Sequence, residues 1–236
     1  SDCSNLIGQL RFMHGDLDGA FSFFDRALRR DEQVGDQLRT ASGYRRVGII
    51  LEQRKEYNRA NALYERAADI ERENNDHFAL SRSLHHQARV SQLKGRFRDA
   101  VELLKKSLSI KEELEDESGK ATAYHEMGNL EFRQNNMEEA LEAYEKALEL
   151  EEAQLDLQGI AVTQAQIGLV RKELFHFADA VRSFGIARDL FNRFQSPYAQ
   201  TLEKALIGAK EMVDGDVYVA MLEEAEEYVG VRLSEG

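Results

Sequence analysis

An all-α chain built from six successive 40-residue helix–turn–helix units is predicted by three observations. The first is composition: one proline, no tryptophan and 31% charged residues, with long stretches rich in Ala, Leu, Glu and Arg, favour helix nearly throughout. No run of alternating β-branched residues reads as a strand. The second is an internal period. Gly8, Gly48, Ala88, Gly128, Gly168 and Gly208 stand 40 residues apart, as do Ala20, Ala60, Ala100, Ala140, Ala180 and Ala220. The third is a column of helix-starting residues, Asp36, Asp76, Asp116, Asp156 and Ser196, with Pro197 following the serine.

Each element follows from these columns. An apolar column, Leu17, Tyr57, Phe97, Met137, Phe177 and Val217, precedes the alanines. A bulky column, Phe24, Tyr64, Leu104, Tyr144 and Phe184, follows them, and then a small one, Ala27, Ala67, Ser107, Ala147 and Ala187. Steps of three or four residues keep these on one helix face. Small residues let two helices approach closely, and the bulky residue locks them. One unit cannot bury that face alone, so neighbours must stack. The predicted units run over about 1–36, 37–76, 77–116, 117–156, 157–196 and 197–230, the last a degenerate cap, with 231–236 as a tail. They form one domain of twelve helices, each of roughly 17 residues and about 25 Å. Glu224 and Glu227 replace the packing columns at the end, which suits a polar cap.

Composition also excludes functions. Lys+Arg total 31 against Asp+Glu 43, the wrong balance for a nucleic-acid binder. No segment approaches the roughly 18 apolar residues of a membrane span, so neither partner is expected and a cytoplasmic location is. Cys3 is the single cysteine; it rules out an internal disulfide, fits a reducing compartment and is expected to be inert near the chain start. Because the chain opens on Ser1 and not methionine, a longer parent protein is left open.

The segment 122–148, "TAYHEMGNLEFRQNNMEEALEAYEKAL", with Gly128, Ala140, Tyr144 and Ala147 at the right offsets, resembles a tetratricopeptide repeat. The 40-residue period and "LDLQGIA" at 155–161 are similar to the long-repeat branch: kinesin light chains, Leu-Gly-Asn repeat adaptors and the sensor arms of signal-transduction ATPases. The resemblance implies a right-handed superhelical solenoid whose first helices line a concave groove. One departure is that Arg11, Ser91, Glu131 and Arg171 stand where the family places a large residue, with Leu10, Ile50, Val90, Leu130 and Val170 supplying the bulk instead.

On a 100° wheel, the arc of the first helices opposite the core is the implied groove wall. It carries Arg45 and Arg46 in the second unit, then Arg82, His85, His86 and Arg89 in the third. The fourth adds His125, Asn129, Phe132 and Arg133, and the fifth Gln166 and Lys172. With acid concentrated on the second helices, as in 138–156 and 112–117, a basic lining would focus potential into the groove. These twelve residues are the expected peptide-binding set, and a partly acidic segment of another protein is the expected ligand. The alternative function is a ligand-sensing or autoinhibitory arm of a larger signalling ATPase or transcription regulator. Self-association is left open.

Catalysis, metal and cofactors are not expected. "HEMGN" at 125–129 begins like the zinc-protease motif but places Asn129 where the second ligand is needed. No Gly-rich phosphate loop follows a strand, and no Ser-His-Asp or Cys-His set has a rigid turn to sit on. Three expectations complete the reading. From the ordinary histidine value, His85, His86 and His125 gain charge between pH 8 and 6, with the neighbouring arginines opposing protonation and moving the effect toward pH 6 or below. Arg82 and Arg89 support no core contact. The apolar arc Val162, Ala165, Leu169, Leu202, Ala205, Ala209, Met212 and Val213 needs a cover: the final helix around 218–228 is the favoured one, and an apolar anchor on a ligand, paired with an acidic stretch, is the alternative.

Overall fold

The computed structural model describes the backbone of residues 2–235 and side chains of 5–234, so the expectation for the Cys3 side chain lies outside the described residues. Twelve α-helices and no strands occupy the described residues. In order they are α1 (Asp2–Met13), α2 (Leu17–Val34), α3 (Gln37–Gln53), α4 (Tyr57–Glu73), α5 (His77–Leu93), α6 (Phe97–Glu113), α7 (Glu117–Arg133), α8 (Met137–Ala153), α9 (Leu157–Glu173), α10 (Phe177–Arg193), α11 (Tyr198–Lys210) and α12 (Gly215–Glu235). Two compact units divide them, residues 1–116 and 117–236.

The turns explain the spacing. A residue with left-handed backbone recurs every 20 positions: Gly15, Gly35, Lys55, Asn75, Gly95, Glu115, Asn135, Leu155, Phe175 and Gln195. Beyond each, the chain closes the helix by a 6→1 bond, as where Glu56 N–H donates to Leu51 O at 2.8 Å and Asp76 N–H to Glu71 O at 2.9 Å. The next helix starts immediately. Asp36, Asp76 and Asp156 accept from the backbone N–H of Arg39, Ala79 and Gly159, satisfying donors that the first turn leaves open. Pro197 adopts helical dihedrals just before α11. The turns from α1 to α11 therefore share one three-residue geometry, and the turn between α11 and α12 departs from it.

Packing follows the columns through the fifth unit. Ala20, Ala60, Ala100, Ala140 and Ala180 are wholly buried, as are Tyr64, Tyr144 and Phe184. A Cβ added at Gly48, Gly128 or Gly168 would fall 2.5–2.6 Å from the ring of Tyr64, Tyr144 or Phe184 respectively. Glycine is thus required by close approach, and an aromatic side chain of this size contributes roughly 1.5–3 kcal/mol by leaving water. Ile50, Val90, Leu130 and Val170 are buried as the bulk-supplying residues, whereas Leu10, in the first helix, is 49% exposed.

The last repeat departs from the columns. Gly208 has open space around it, Ala220 is exposed and Val217 is 41% exposed. The reason is that α12 turns a different stripe inward. Tyr218, Leu222, Ala225, Val229 and Leu233 pack with the core around α10, offset from the 217/220/224 register. Gly185 admits the helix, its added Cβ coming within 2.9 Å of Ala225 Cβ. Arg182 bridges Glu224 at 3.2 Å, and Arg232 bridges Glu152 of α8 at 2.8 Å. Instead of ending in a tail, α12 continues through 231–235.

Candidate functional site

In the first unit, the odd-numbered helices α3 and α5 carry the expected basic residues, and their partners divide them into two groups. Glu71, wholly buried on α4, pairs with Arg45 and accepts from Ser83 Oγ at 2.6 Å. Glu52, buried at the end of α3, pairs with Arg89 at 2.6 Å, accepts from its Nη2 at 3.0 Å and accepts from the Tyr64 hydroxyl at 3.1 Å. Arg45 and Arg89 thus hold core carboxylates in place. The expectation that Arg89 supports no core contact is corrected: its charge neutralises Glu52, which would otherwise be buried uncompensated. Arg82 is exposed, its guanidinium 5.9 Å from the Phe78 ring, and Arg46 is half-buried.

Between these helices opens a cavity of about 380 Å³. Phe12, Phe24, Ile49 and Ile50 supply apolar lining, with Gln9, Ser42, Arg45, Arg46, Arg82 and His86 around them. Burial and the neighbouring Arg82 hold the Arg45 guanidinium down at about 10, still charged at neutral pH.

The histidines do not behave as expected. The His86 ring stacks on Tyr64 at 4.9 Å, and His85 meets His86 edge-on at 6.0 Å. Burial, reinforced by nearby cations, pushes His85 down to about 4 and His86 to about 3. Burial lowers His125 as well. A charge on any of these rings would lack the water that burial has removed, and on His85 and His86 it would also face nearby cations. The expected gain of charge between pH 8 and 6 is therefore overturned; His85 and His86 are neutral throughout that range.

In the second unit, His125 Nδ1 lies 2.9 Å from Thr163 Oγ, which donates to Glu151 at 3.0 Å. Burial raises the Glu151 carboxyl to about 7. Asn129 accepts from the Tyr144 hydroxyl at 2.8 Å, and half-buried Phe132 packs against the core around Tyr144 and Ile167. Arg133 and Lys172 are exposed, and Gln166 lines a second cavity of about 390 Å³. That cavity has no charged residue in its lining. Val162, Ala165 and Leu169 of α9 and Thr201, Leu202 and Ala205 of α11 form its walls, with Phe184, Phe191 and Tyr198 completing it.

The final helix does not cover this cavity. Its contacts run mainly to α10 and to Glu152 of α8, with Tyr218 meeting Lys210 of α11; Leu202 and Ala209 of the arc are buried in the same cluster, but Leu169 stays 38% and Tyr198 66% exposed. That expectation is corrected too, because α12's apolar stripe finds its partner on the even-numbered helices.

The sequence reading missed the buried polar residues at Asp31, Glu71, Lys111 and Glu151, all of them in the interior. Their 40-residue spacing, four positions beyond the small column, was the available signal. Among the described residues, no group of three or more His, Cys, Asp or Glu could hold a metal ion, and no helix is long and apolar enough to cross a membrane.

A family model described as tetratricopeptide repeat matches residues 2–73, 39–113 and 119–193. No curated protein matches the chain. Several solved structures share its fold. The apo form of RapI is 19% identical, covers 97% of this chain and 82% of its own, and superposes with a TM-score of 0.79. A Rap protein complexed with competence and sporulation factor is 16% identical, with 98% and 64% covered and a TM-score of 0.71. A signal transduction ATPase with numerous domains from Pyrococcus horikoshii, which has a tetratricopeptide repeat sensor, is 15% identical. It covers 96% of this chain and 38% of its own, with a TM-score of 0.73.

Proposed function

Because the chain belongs to the tetratricopeptide repeat family, we propose that it is a non-catalytic interaction module whose odd-numbered helices bind a partly acidic segment of another protein. The observation that carries this reading is the cavity of the first unit, where Arg46 and Arg82 reach accessible space over an apolar lining. Buried apolar area supplies affinity for a peptide, and arginine supplies recognition of its acidic groups. The apolar cavity of the second unit offers a separate place for a large side chain of a ligand. A similar fold occurs in a Rap protein complexed with competence and sporulation factor, which supports a polypeptide-sized ligand. The likeness to a repeat sensor within a signal transduction ATPase favours a second reading, in which the bound segment or effector regulates a parent protein.

The test is affinity capture with the wild-type chain, Arg46→Glu/Arg82→Glu and Leu169→Asp, followed by titration of each purified partner. A partner of the basic cavity loses about tenfold or more in affinity with the double variant, and its affinity falls as salt rises. A partner set unchanged by all three substitutions would remove the odd-numbered helices as the binding face.

A further inference from the structure

We infer that the cavity of the first unit is a binding site for a phosphomonoester dianion carried on a partner segment, with Arg46 and Arg82 as its two anchoring cations. This deepens the proposed function and rests on it. Three guanidiniums line the cavity, those of Arg45, Arg46 and Arg82. Glu71 neutralises Arg45. Among the described residues neither Arg46 nor Arg82 has a carboxylate within ion-pair distance, so the cavity lining presents an excess of two accessible positive charges beside apolar side chains. A monocarboxylate would compensate one of them. A phosphomonoester near neutral pH brings up to two negative charges and three acceptor oxygens, and planar guanidiniums bind such oxygens in pairs. Ser42 and Gln9 at the same cavity are neutral donors for the remaining oxygen.

The excess distinguishes this cavity from the others. A cavity beside α2 and α4 also contains three arginines, Arg29, Arg59 and Arg66, but Asp25 and Glu32 share its lining. There Arg29 pairs with Asp25 at 2.9 Å, and Arg59 pairs with Glu56. The second unit's cavity has no cation in its lining. At the cavity of the first unit, by contrast, Arg46 and Arg82 share one lining in which there is no carboxylate.

The experiment is calorimetric titration of the full chain at low salt with four probes: phenyl phosphate, benzoate, inorganic phosphate and a capped pentapeptide containing one phosphoserine. The two esters are expected to bind about tenfold or more tightly than benzoate, and inorganic phosphate more weakly than the esters because it leaves the apolar lining unfilled. Arg46→Gln and Arg82→Gln each reduce ester affinity by about tenfold, and both together reduce binding to the level of benzoate. Arg133→Gln, in the second unit, leaves it unchanged. Helical circular dichroism checks that the variants fold, which both side chains' accessibility favours.

Benzoate binding within about threefold of phenyl phosphate, or full ester affinity in the double variant, would overturn the inference. Inorganic phosphate binding as tightly as the esters would overturn the carried ester and leave a free-anion site. If these titrations fail while the captured partner is still lost on Arg46→Glu/Arg82→Glu, the interaction module stands and the phosphate class falls.

Discussion

The two units present the same backbone and opposite chemistry on their odd-numbered helices. In the first, arginines from α3 and α5 hold buried carboxylates and leave two guanidiniums at an open cavity. In the second, the cavity walls from α9 and α11 are uncharged, and the buried carboxylate Glu151 is met by a threonine hydroxyl and not a cation. The difference shows how this architecture separates tasks. Small and aromatic columns hold the helices together, which frees the other arc to be basic in one unit and apolar in the other.

The sharpest test of that contrast compares two buried carboxylates 80 residues apart in sequence. Glu71→Gln leaves Arg45 without its counter-charge and is expected to cost about 3–5 kcal/mol, as breaking a buried pair does. Glu151→Gln keeps a hydrogen-bond acceptor for Thr163 and removes a charge that burial already disfavours. At pH 8, where the ionised Glu151 carries its burial cost, the substitution is expected to be neutral or stabilising. Urea denaturation of both variants measures the pair, and equal losses would erase the distinction.

Within the packing columns, Gly48→Leu and Gly128→Leu drive bulk into Tyr64 and Tyr144 and are expected to cost about 1–3 kcal/mol each. Gly208→Leu, with nothing within 4 Å of its added Cβ, is expected to be neutral or stabilising. Thermal melts in which Gly208→Leu matches the other two would place the last repeat back in the common register.

Acid separates the units more gently. His85 and His86 have folded values near 4 and 3 against 6.5 for the unperturbed side chain, so below pH 6.5 the unfolded chain takes up protons that the folded one refuses. Stability is therefore full above that pH and falls on acidification. The loss at pH 5.5 is on the order of 1 kcal/mol per histidine. Glu151, raised to about 7 from 4.5, has the opposite sign: its contribution is full below 4.5 and is lost as pH rises through 7. It partly offsets the loss from His125, whose value is lowered. Hydrogen exchange at pH 7.5 and 5.5, corrected for intrinsic rates, should show α5 losing more protection than α8 and α9. His86→Phe, which keeps a ring against Tyr64, should flatten part of the acid sensitivity in α5.

The smallest effect lies in the turns. Leu155 and Phe175 adopt left-handed backbone at φ 53° and 63°, which favours glycine. Leu155→Gly and Phe175→Gly are expected to stabilise by about 0.5–1 kcal/mol if relief of strain exceeds the added chain entropy. Destabilisation in both would mean that the side chains' own contacts, such as the Phe175–Phe177 edge contact at 6.0 Å, outweigh the backbone strain.

Sequence alone determined the helical class, the 40-residue period and the contacts that join helices. A small residue facing a bulky one at fixed spacing has few ways to pack, and the columns from Gly8 to Phe184 repeat that constraint. Tertiary structure decided which residues of the arc opposite the core are accessible. A helical wheel gives the direction of a side chain but not what reaches it from the next helix. Arg45 and Arg89 therefore read as groove cations until Glu71 and Glu52 meet them, and His86 as a titrating ligand until Tyr64 stacks against it. The course of α12 was equally beyond a periodic reading. Its inward stripe is apolar on more than one register, and only the gap at Gly185, with Arg182 and Glu152 to receive Glu224 and Arg232, selects the face of α10.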